Sequence, residues 1–227
     1  MIDQGTLRTI STFVELTDVE LHELSRCCSV KHFTKDNVVF LEKEEAQALY
    51  VLLTGKVKIT IQGDDGKEVI LSWLGDGDFF GEMSLLDEEP RSATVVACED
   101  VDLLLVPRDV FLRLLGQNPK FMRRILTALS LRVRRANHQI ASLALLDVYG
   151  RVARVITDLA QDEGKRLKDG RIQLKLPPHR EIANMIGTSR ETVTRVLTGL
   201  VKHGYLQSAG KSVIINETFP TEGKIAK

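Results

Sequence analysis

Long apolar runs are missing from this chain. No stretch of its 227 residues approaches the roughly 20 consecutive apolar positions that a membrane-crossing helix needs, so a spanning function is excluded. Cysteine is scarce. Cys27 and Cys28 are adjacent and Cys98 stands alone, an odd count that implies no disulfide framework. The start, Met1-Ile2-Asp3-Gln4, lacks the basic and apolar regions of a secretory signal. These absences lead to the expectation of a reduced, cytoplasmic protein with no membrane partner. Net charge is absent as well, with 31 Lys and Arg against 31 Asp and Glu. That balance hides an asymmetry: 17 basic against 22 acidic residues precede Asp147, and 14 against 9 follow from it. A basic C-terminal part suits a nucleic-acid partner, though an excess of this size is modest.

What is present is organised around Pro119–Leu146. Alternating steps of four and three pick out Met122, Leu126, Leu129, Val133, Ala136, Ile140 and Leu143, a heptad seam uninterrupted by Gly or Pro. Arg123, Arg124, Arg132, Arg134 and Arg135 flank it. A helix this long with one narrow apolar stripe finds little core to cover it, and a second copy of itself is the natural partner. Burial as a long core helix within one chain is the alternative. Leu126, Leu129, Val133, Ala136, Ile140 and Leu143 are therefore the expected dimer contacts.

Before the seam, residues 9–28 have helical spacing, with Thr17 and Asp18 as N-cap candidates. Short β-rich pieces follow: Val38–Leu41, Leu49–Leu53, Val57–Ile61, Val69–Leu71, Ala93–Ala97 and Val101–Val106. Turn signals at Thr54-Gly55-Lys56 and Asp64-Asp65-Gly66 separate them. Six such strands predict an antiparallel barrel or sandwich, followed by a short helix over Val110–Leu115. After the seam come an amphipathic stretch, Val152–Ala160, a polar loop, Gln161–Gly170, and a short strand, Ile172–Leu176. Two helices meeting at Gly187 precede an expected two-stranded wing, Gly204–Leu206 with Gly210–Ile215. The tail after Asn216 has no core pattern and is expected to fray.

Two stretches carry chemistry. In Gly75–Leu86 with Pro90-Arg91-Ser92-Ala93, the glycines let backbone approach a ligand, and a short helix from Gly81 would turn free N–H groups toward an anion. Arg91 offers a fork suited to phosphate, Ser92 a hydroxyl donor, and Glu82 an acceptor for a ribose hydroxyl. The plainer alternative is a sharp turn with Glu82 and Arg91 paired to each other. In His179–Val201, the residues Ile182, Ala183, Ile186, Gly187, Val193 and Val196 occupy the inward and turn places of a helix-turn-helix. Gly187 suits the left-handed inter-helix turn, and Thr188 or Ser189 the cap of the second helix. The exposed start of that helix then shows Ser189, Arg190, Glu191, Thr194 and Arg195, where a recognition helix meets base edges. No nucleophile–base arrangement or metal motif appears, so an enzyme is not expected.

Gly81-Glu82, a short apolar helix and Arg91-Ser92-Ala93 resemble the phosphate-binding cassette of cyclic-nucleotide-binding domains. With Leu145-Leu146-Asp147-Val148, Gly150-Arg151-Val152 and Arg190–Arg195, the resemblance extends over nearly the whole chain. It points to the bacterial cyclic-AMP receptor protein family, within the group that includes the fumarate–nitrate reduction regulators. It implies an α+β chain: a jelly-roll-like antiparallel β-roll over 1–118, a dimerisation helix over 119–146, and a winged helix-turn-helix over 147–227. It also implies an effector site of Gly81, Glu82, Met83, Ser84, Arg91, Ser92, Ala93, Ala136 and Asn137, with Glu82 on the ribose 2′-hydroxyl. Arg190 and Arg195 would contact guanines of a TGTGA half-site, Glu191 a cytosine amine, and Ser189 and Thr192 phosphates. The implied partners are double-stranded DNA, a second copy, a cyclic nucleotide, cyclic AMP first, and RNA polymerase. The Gln161–Gly170 loop lies where relatives touch the polymerase, while its composition is that of an ordinary solvated loop. Ala136 departs from the family's adenine-contacting Thr, and only Asn137 keeps hydrogen-bonding capacity. A cyclic-dinucleotide-responsive or effector-independent regulator of the same family therefore stays open, as does a nucleotide-binding module without a DNA role. Iron–sulfur and haem sensing find no suitable set in three cysteines, which read as small buried apolar residues, and five scattered histidines.

Overall fold

The computed structural model describes residues 2–210 and 212–219 and divides into two compact units, residues 1–133 and 134–227. The first unit opens with α1 (Gln4–Thr9), a 3-10 turn at Ser11–Phe13 and α2 (Asp18–Cys27). Thr17 caps α2 in a full capping box with Glu20, whose carboxylate accepts from the Thr17 backbone N–H at 2.7 Å.

Eight strands follow: β1 (Ser29–Phe33), β2 (Val38–Phe40), β3 (Ala48–Thr54), β4 (Val57–Gln62), β5 (Glu68–Leu74), β6 (Phe79–Phe80), β7 (Thr94–Ala97) and β8 (Val101–Pro107). They form two antiparallel sheets, ordered β1-β8-β3-β6 and β2-β7-β4-β5. One core cluster draws a residue from every strand, including Phe33, Phe40, Leu52, Val57, Leu74, Phe80, Val95 and Leu103, which is what two sheets packed face to face require. The strand period of two sends alternate residues of the first sheet the other way. Leu49, Val51, Leu104 and Val106 join a second cluster with Phe13, Leu24, Phe111 and Phe121 of the helical segments. The six expected strands are all present. The sequence reading missed β1, whose first four residues are exposed on both faces, and β6, two residues long; neither shows an alternating pattern.

Between β6 and β7 lies a single helical turn, α3 (Met83–Leu86), and after β8 comes α4 (Arg108–Gln117), longer at both ends than expected. The long helix is α5 (Pro119–Leu145). Asn118 caps its start, its side-chain oxygen accepting from Phe121 N at 2.9 Å. The Asn118 amide donates to both Glu20 oxygens, at 2.9 and 3.1 Å, so one buried side chain ties the caps of two helices. On α5 Phe121 and Ile125 are buried, and Ala128 and Leu129 pack against the same cluster. Of the seam, Met122, Leu126, Val133, Ile140 and Leu143 remain exposed, Val133 at 60% and Ile140 at 64%. Cys28 is buried, and burial together with Cys27 pushes its thiol up to about 12; Cys27, against expectation, is exposed.

In the second unit α6 (Val148–Glu163) starts at Asp147, whose carboxylate accepts from Gly150 N at 2.8 Å. Then come β9 (Lys165–Arg166), β10 (Ile172–Leu174), α7 (His179–Ile186), α8 (Arg190–Lys202), β11 (Leu206–Ala209) and β12 (Ser212–Ile215). The expected two-stranded wing is instead half of a four-stranded sheet, β11-β12-β10-β9, because β12 pairs with β10 as well as β11. Glu217–Phe219 does not fray: it forms a turn that buries Phe219. Lys211 of the expected wing and the tail from Pro220 lie outside the described residues.

Burial raises the pKa of Glu20, but hydrogen bonds from Thr17 and Asn118 outweigh it and leave the net shift downward. A depressed folded-state pKa contributes stability above the unfolded value, and the contribution fades as pH falls through the folded value. Asn118→Ala, which removes both a cap and a partner of Glu20, is expected to cost about 1–2 kcal/mol at pH 7. In thermal melts its deficit relative to wild type is present at neutral pH and shrinks as pH falls through the depressed folded-state pKa of Glu20.

Candidate functional site

Gly81 sets the cassette. Its φ of 78° lies where only glycine sits without strain, and a Cβ there would come within 2.5 Å of the Arg91 guanidinium. The expected helix begins two residues later than Gly81, at Met83, with Glu82 as its N-cap. Cross-braces hold the loop: Ser84 Oγ donates to Pro90 O at 3.1 Å, and the Arg91 backbone exchanges hydrogen bonds with the β2–β3 loop at Lys43 and Glu44.

The two charged side chains are withdrawn from water, Glu82 to 1% exposure and Arg91 to 4%. They are not paired with each other, unlike the pairing in the plainer sequence alternative. Arg91 donates from Nη1 to Gly81 O at 2.6 Å and from Nη2 to Ala48 O at 2.8 Å. Burial lowers its pKa, against the pull of Tyr50, Glu82 and Glu44. Glu82 Oε1 accepts from Arg132 of α5, which also donates to Phe79 O and lies over the Phe79 ring, 4.9 Å from its centroid. Each cassette residue keeps one polar atom in reserve. Glu82 Oε2 and Arg91 Nε are two of three buried side-chain polar atoms that lack a hydrogen-bond partner among the described residues. Such orphans are costly unless something supplies the missing partner.

Met83 and Ser92 are exposed, Ala93 is buried, and the Ser84 hydroxyl is already used. Ala136 and Asn137 are exposed on α5. Arg132 is the site residue that sequence reasoning missed. Its position was readable, since it stands seven residues after buried Ile125 and four before Ala136, on one helical face. Its charge in a flank rich in arginine disguised it.

In the second unit Gly187 takes φ 64°, ψ 49° and ends α7; Ser189 caps α8, accepting from Thr192 N at 3.2 Å. Ile182, Ala183, Ile186, Val193 and Val196 are buried. Arg190, Glu191, Thr194 and Arg195 line one open concavity of about 400 Å³ on the outer surface of α8. Backbone and Ser189 hydrogen bonds, with Arg190 nearby, hold the Glu191 carboxyl below its usual range and so keep it an acceptor. His179 and Thr194 share a hydrogen bond of 2.8 Å across the two helices.

Residues 30–118 match the cyclic nucleotide-binding domain, and residues 150–218 match the Crp-like helix-turn-helix domain. The chain belongs to the CRP/FNR family of transcription regulators. It is 34% identical over 187 residues to the CRP-like cAMP-activated global transcriptional regulator of Mycobacterium tuberculosis, covering 82% of this chain and 83% of that one. It is also 34% identical to the cAMP-activated global transcriptional regulator CRP of Pasteurella multocida, covering 86% of this chain and 93% of the relative. Among solved structures, the c-di-GMP-responsive regulator CLP of Xanthomonas campestris superimposes with a TM-score of 0.76 at 26% identity, covering 89% of this chain and all of that one. In this CRP-family member, the β-roll and helix-turn-helix expected from the sequence are both present. No helix among the described residues is long and apolar enough to cross a membrane.

Two glycines give opposite expectations. Gly81→Ala meets both a positive φ and the Arg91 guanidinium, and is expected to destabilise the first unit by about 1–3 kcal/mol. Gly199→Ala lies inside α8, where an added Cβ meets only Tyr149 at 3.8 Å. It is expected to stabilise the second unit by about 0.5–1 kcal/mol. Denaturant melts of the two variants check the signs.

Proposed function

We propose that the chain is a homodimeric transcription regulator switched by a cyclic nucleotide, with cyclic AMP as first candidate. The observation that carries this is the pair of unspent buried atoms in the cassette, an acceptor on Glu82 and a donor on Arg91. A cyclic nucleotide presents the complement, a ribose hydroxyl to donate and a phosphate oxygen to accept. Ser92 is exposed, and its hydroxyl donates only to the Met83 sulfur at 3.9 Å, a weak bond that a phosphate oxygen would displace. Arg132, already on Glu82, ties the occupied cassette to the long helix, so ligand binding acts on α5 directly. The base side rests on Ala136 and Asn137 by resemblance alone.

The exposed seam of α5 supports pairing with a second copy, since a stripe containing Val133 and Ile140 is costly to leave in water. Pairing brings two recognition helices to half-sites about one DNA turn, ~34 Å, apart, and the effector shifts the population of paired arrangements that fit. Arg190 and Arg195 then read guanines and Glu191 a cytosine amine in TGTGA, with Ser189 and Thr192 on phosphates and Thr194 at the same surface. RNA polymerase is a further proposed partner. A second effector reading, a cyclic dinucleotide, is favoured by the likeness to the c-di-GMP-responsive regulator and by the loss of a hydroxyl at Ala136.

Calorimetric titration with cyclic AMP, cyclic GMP and cyclic di-GMP tests the effector. One ligand is expected to bind wild type, and Arg91→Leu to weaken it at least tenfold. Binding of none of the three overturns effector control. For DNA, binding-site selection with Arg190→Leu is expected to lose the TGTGA preference at about 1–3 kcal/mol for the bidentate contact. An unchanged consensus would remove Arg190 from base reading. A chain that stays monomeric in ultracentrifugation with ligand and DNA present overturns the dimer.

A further inference from the structure

The aromatic residues around Arg91 have no assigned role. The guanidinium carbon lies 4.2 Å from the Phe40 ring centroid and 5.6 Å from that of Tyr50. Tyr50 stacks on Phe80 at 5.3 Å with planes 6° apart, and Phe40 lies 5.4 Å from Tyr50 and 5.9 Å from Phe80. Of the carbonyls that accept from Arg91, Ala48 stands two residues before Tyr50 on β3, and Gly81 directly follows Phe80 at the end of β6. Tyr50 and Phe80 are cross-strand partners, so rings and carbonyls keep one register.

We propose that Phe40 and Tyr50 are positioning residues for the anion site, an aromatic shelf that fixes the plane of the Arg91 guanidinium. A flat delocalised cation over a ring face is attracted by the ring quadrupole, the more so when desolvated. Two hydrogen bonds in the plane and a ring against its face stop rotation about the side-chain axis. Of the three guanidinium nitrogens, only Nε then lacks an acceptor among the described residues. A side chain held this way loses little freedom when a phosphate oxygen arrives, so the shelf raises affinity by preorganising the donor and adds no contact to the ligand. Lysine cannot use the shelf, because an ammonium has no plane to lay on it. Phe40 belongs to the buried core, and plain packing is the rival explanation.

The inference rests on the cyclic-nucleotide reading, and its test separates the two. The effector that binds wild type is titrated calorimetrically into the full chain carrying Phe40→Leu, Phe40→Tyr, Arg91→Lys, or Phe40→Leu with Arg91→Lys. Phe40→Leu is expected to weaken binding about three- to thirtyfold, while Phe40→Tyr retains affinity within about twofold. In the Arg91→Lys background, the cost of Phe40→Leu falls below about twofold, because the stacked plane is already gone. An equal cost in both backgrounds means packing alone and overturns the shelf. Nitrogen-15 spectra give a second readout that does not depend on affinity. The Arg91 Nε–H signal, assigned by its loss in Arg91→Lys, is expected to be sharp and ring-shifted in wild type. It should move on ligand addition and lose its ring shift in Phe40→Leu. A signal unmoved by Phe40→Leu overturns the shelf while leaving the effector site intact. If wild type binds no nucleotide, the parent reading falls and the shelf with it. Should Phe40→Leu fail to fold, as judged by Trp73 fluorescence, Tyr50→Leu takes its place in the same cycle, compared with Tyr50→Phe, which removes only the hydroxyl that bonds with Arg91.

Discussion

The contact between Glu82 and Arg132 bears on nearly everything else in the first unit. Taking a carboxylate out of water costs several kcal/mol unless an opposite charge and hydrogen bonds replace the solvent. Glu82 follows the two-residue strand β6, at the point where Gly81 turns the chain back on itself, and solvent does not reach it. Its counter-charge comes from the long helix, some fifty residues away in sequence. The pair therefore fixes which face of α5 lies on the β-roll. Phe121 and Ile125 complete that face, and the exposed seam follows as the remaining one. One charge pair thus links the Gly81–Glu82 loop to the register of the long helix and to the face it leaves exposed.

The cassette is an ordered loop that keeps unpartnered polar atoms inside it. Carbonyls, aromatic rings and an arginine satisfy most of what Glu82 and Arg91 can do, and each retains one atom unspent. Buried polar networks that are only partly satisfied are poor for stability and suited to recognition. The helix-turn-helix represents the opposite arrangement. Its cap, left-handed turn and apolar contacts are complete, and Arg190, Glu191, Thr194 and Arg195 stand outside the core. The first region therefore leaves polar capacity inside the fold, whereas the second displays its polar side chains on the surface.

Local chemistry made much of this legible. Gly187 had to be the turn because its conformation suits glycine, and Ser189 had to cap because a hydroxyl satisfies a free N–H at a helix start. The strands from Val38 to Val106 announced themselves through β-branched residues bounded by turn signals. Elements held by partners distant in sequence were hidden. Strand β1 has four exposed residues and exists because β8 pairs with it; β6 is too short for any period; β12 joins β10 as well as its hairpin neighbour. Arg132 stood on the helical face of Ile125 and Ala136, but its charge hid it among the neighbouring arginines.

The sequence by itself determined most of the elements, the turn chemistry, and the order of β-roll, long helix and helix-turn-helix. Each of those depends on interactions within a few residues of chain, which spacing and residue type record. Only the tertiary structure decided that Glu82 pairs with Arg132 and not Arg91, that Arg91 lies on aromatic rings, and which atoms remain unpaired. Those outcomes turn on which charges and faces meet once strands and helices pack, and sequence distance carries no measure of that.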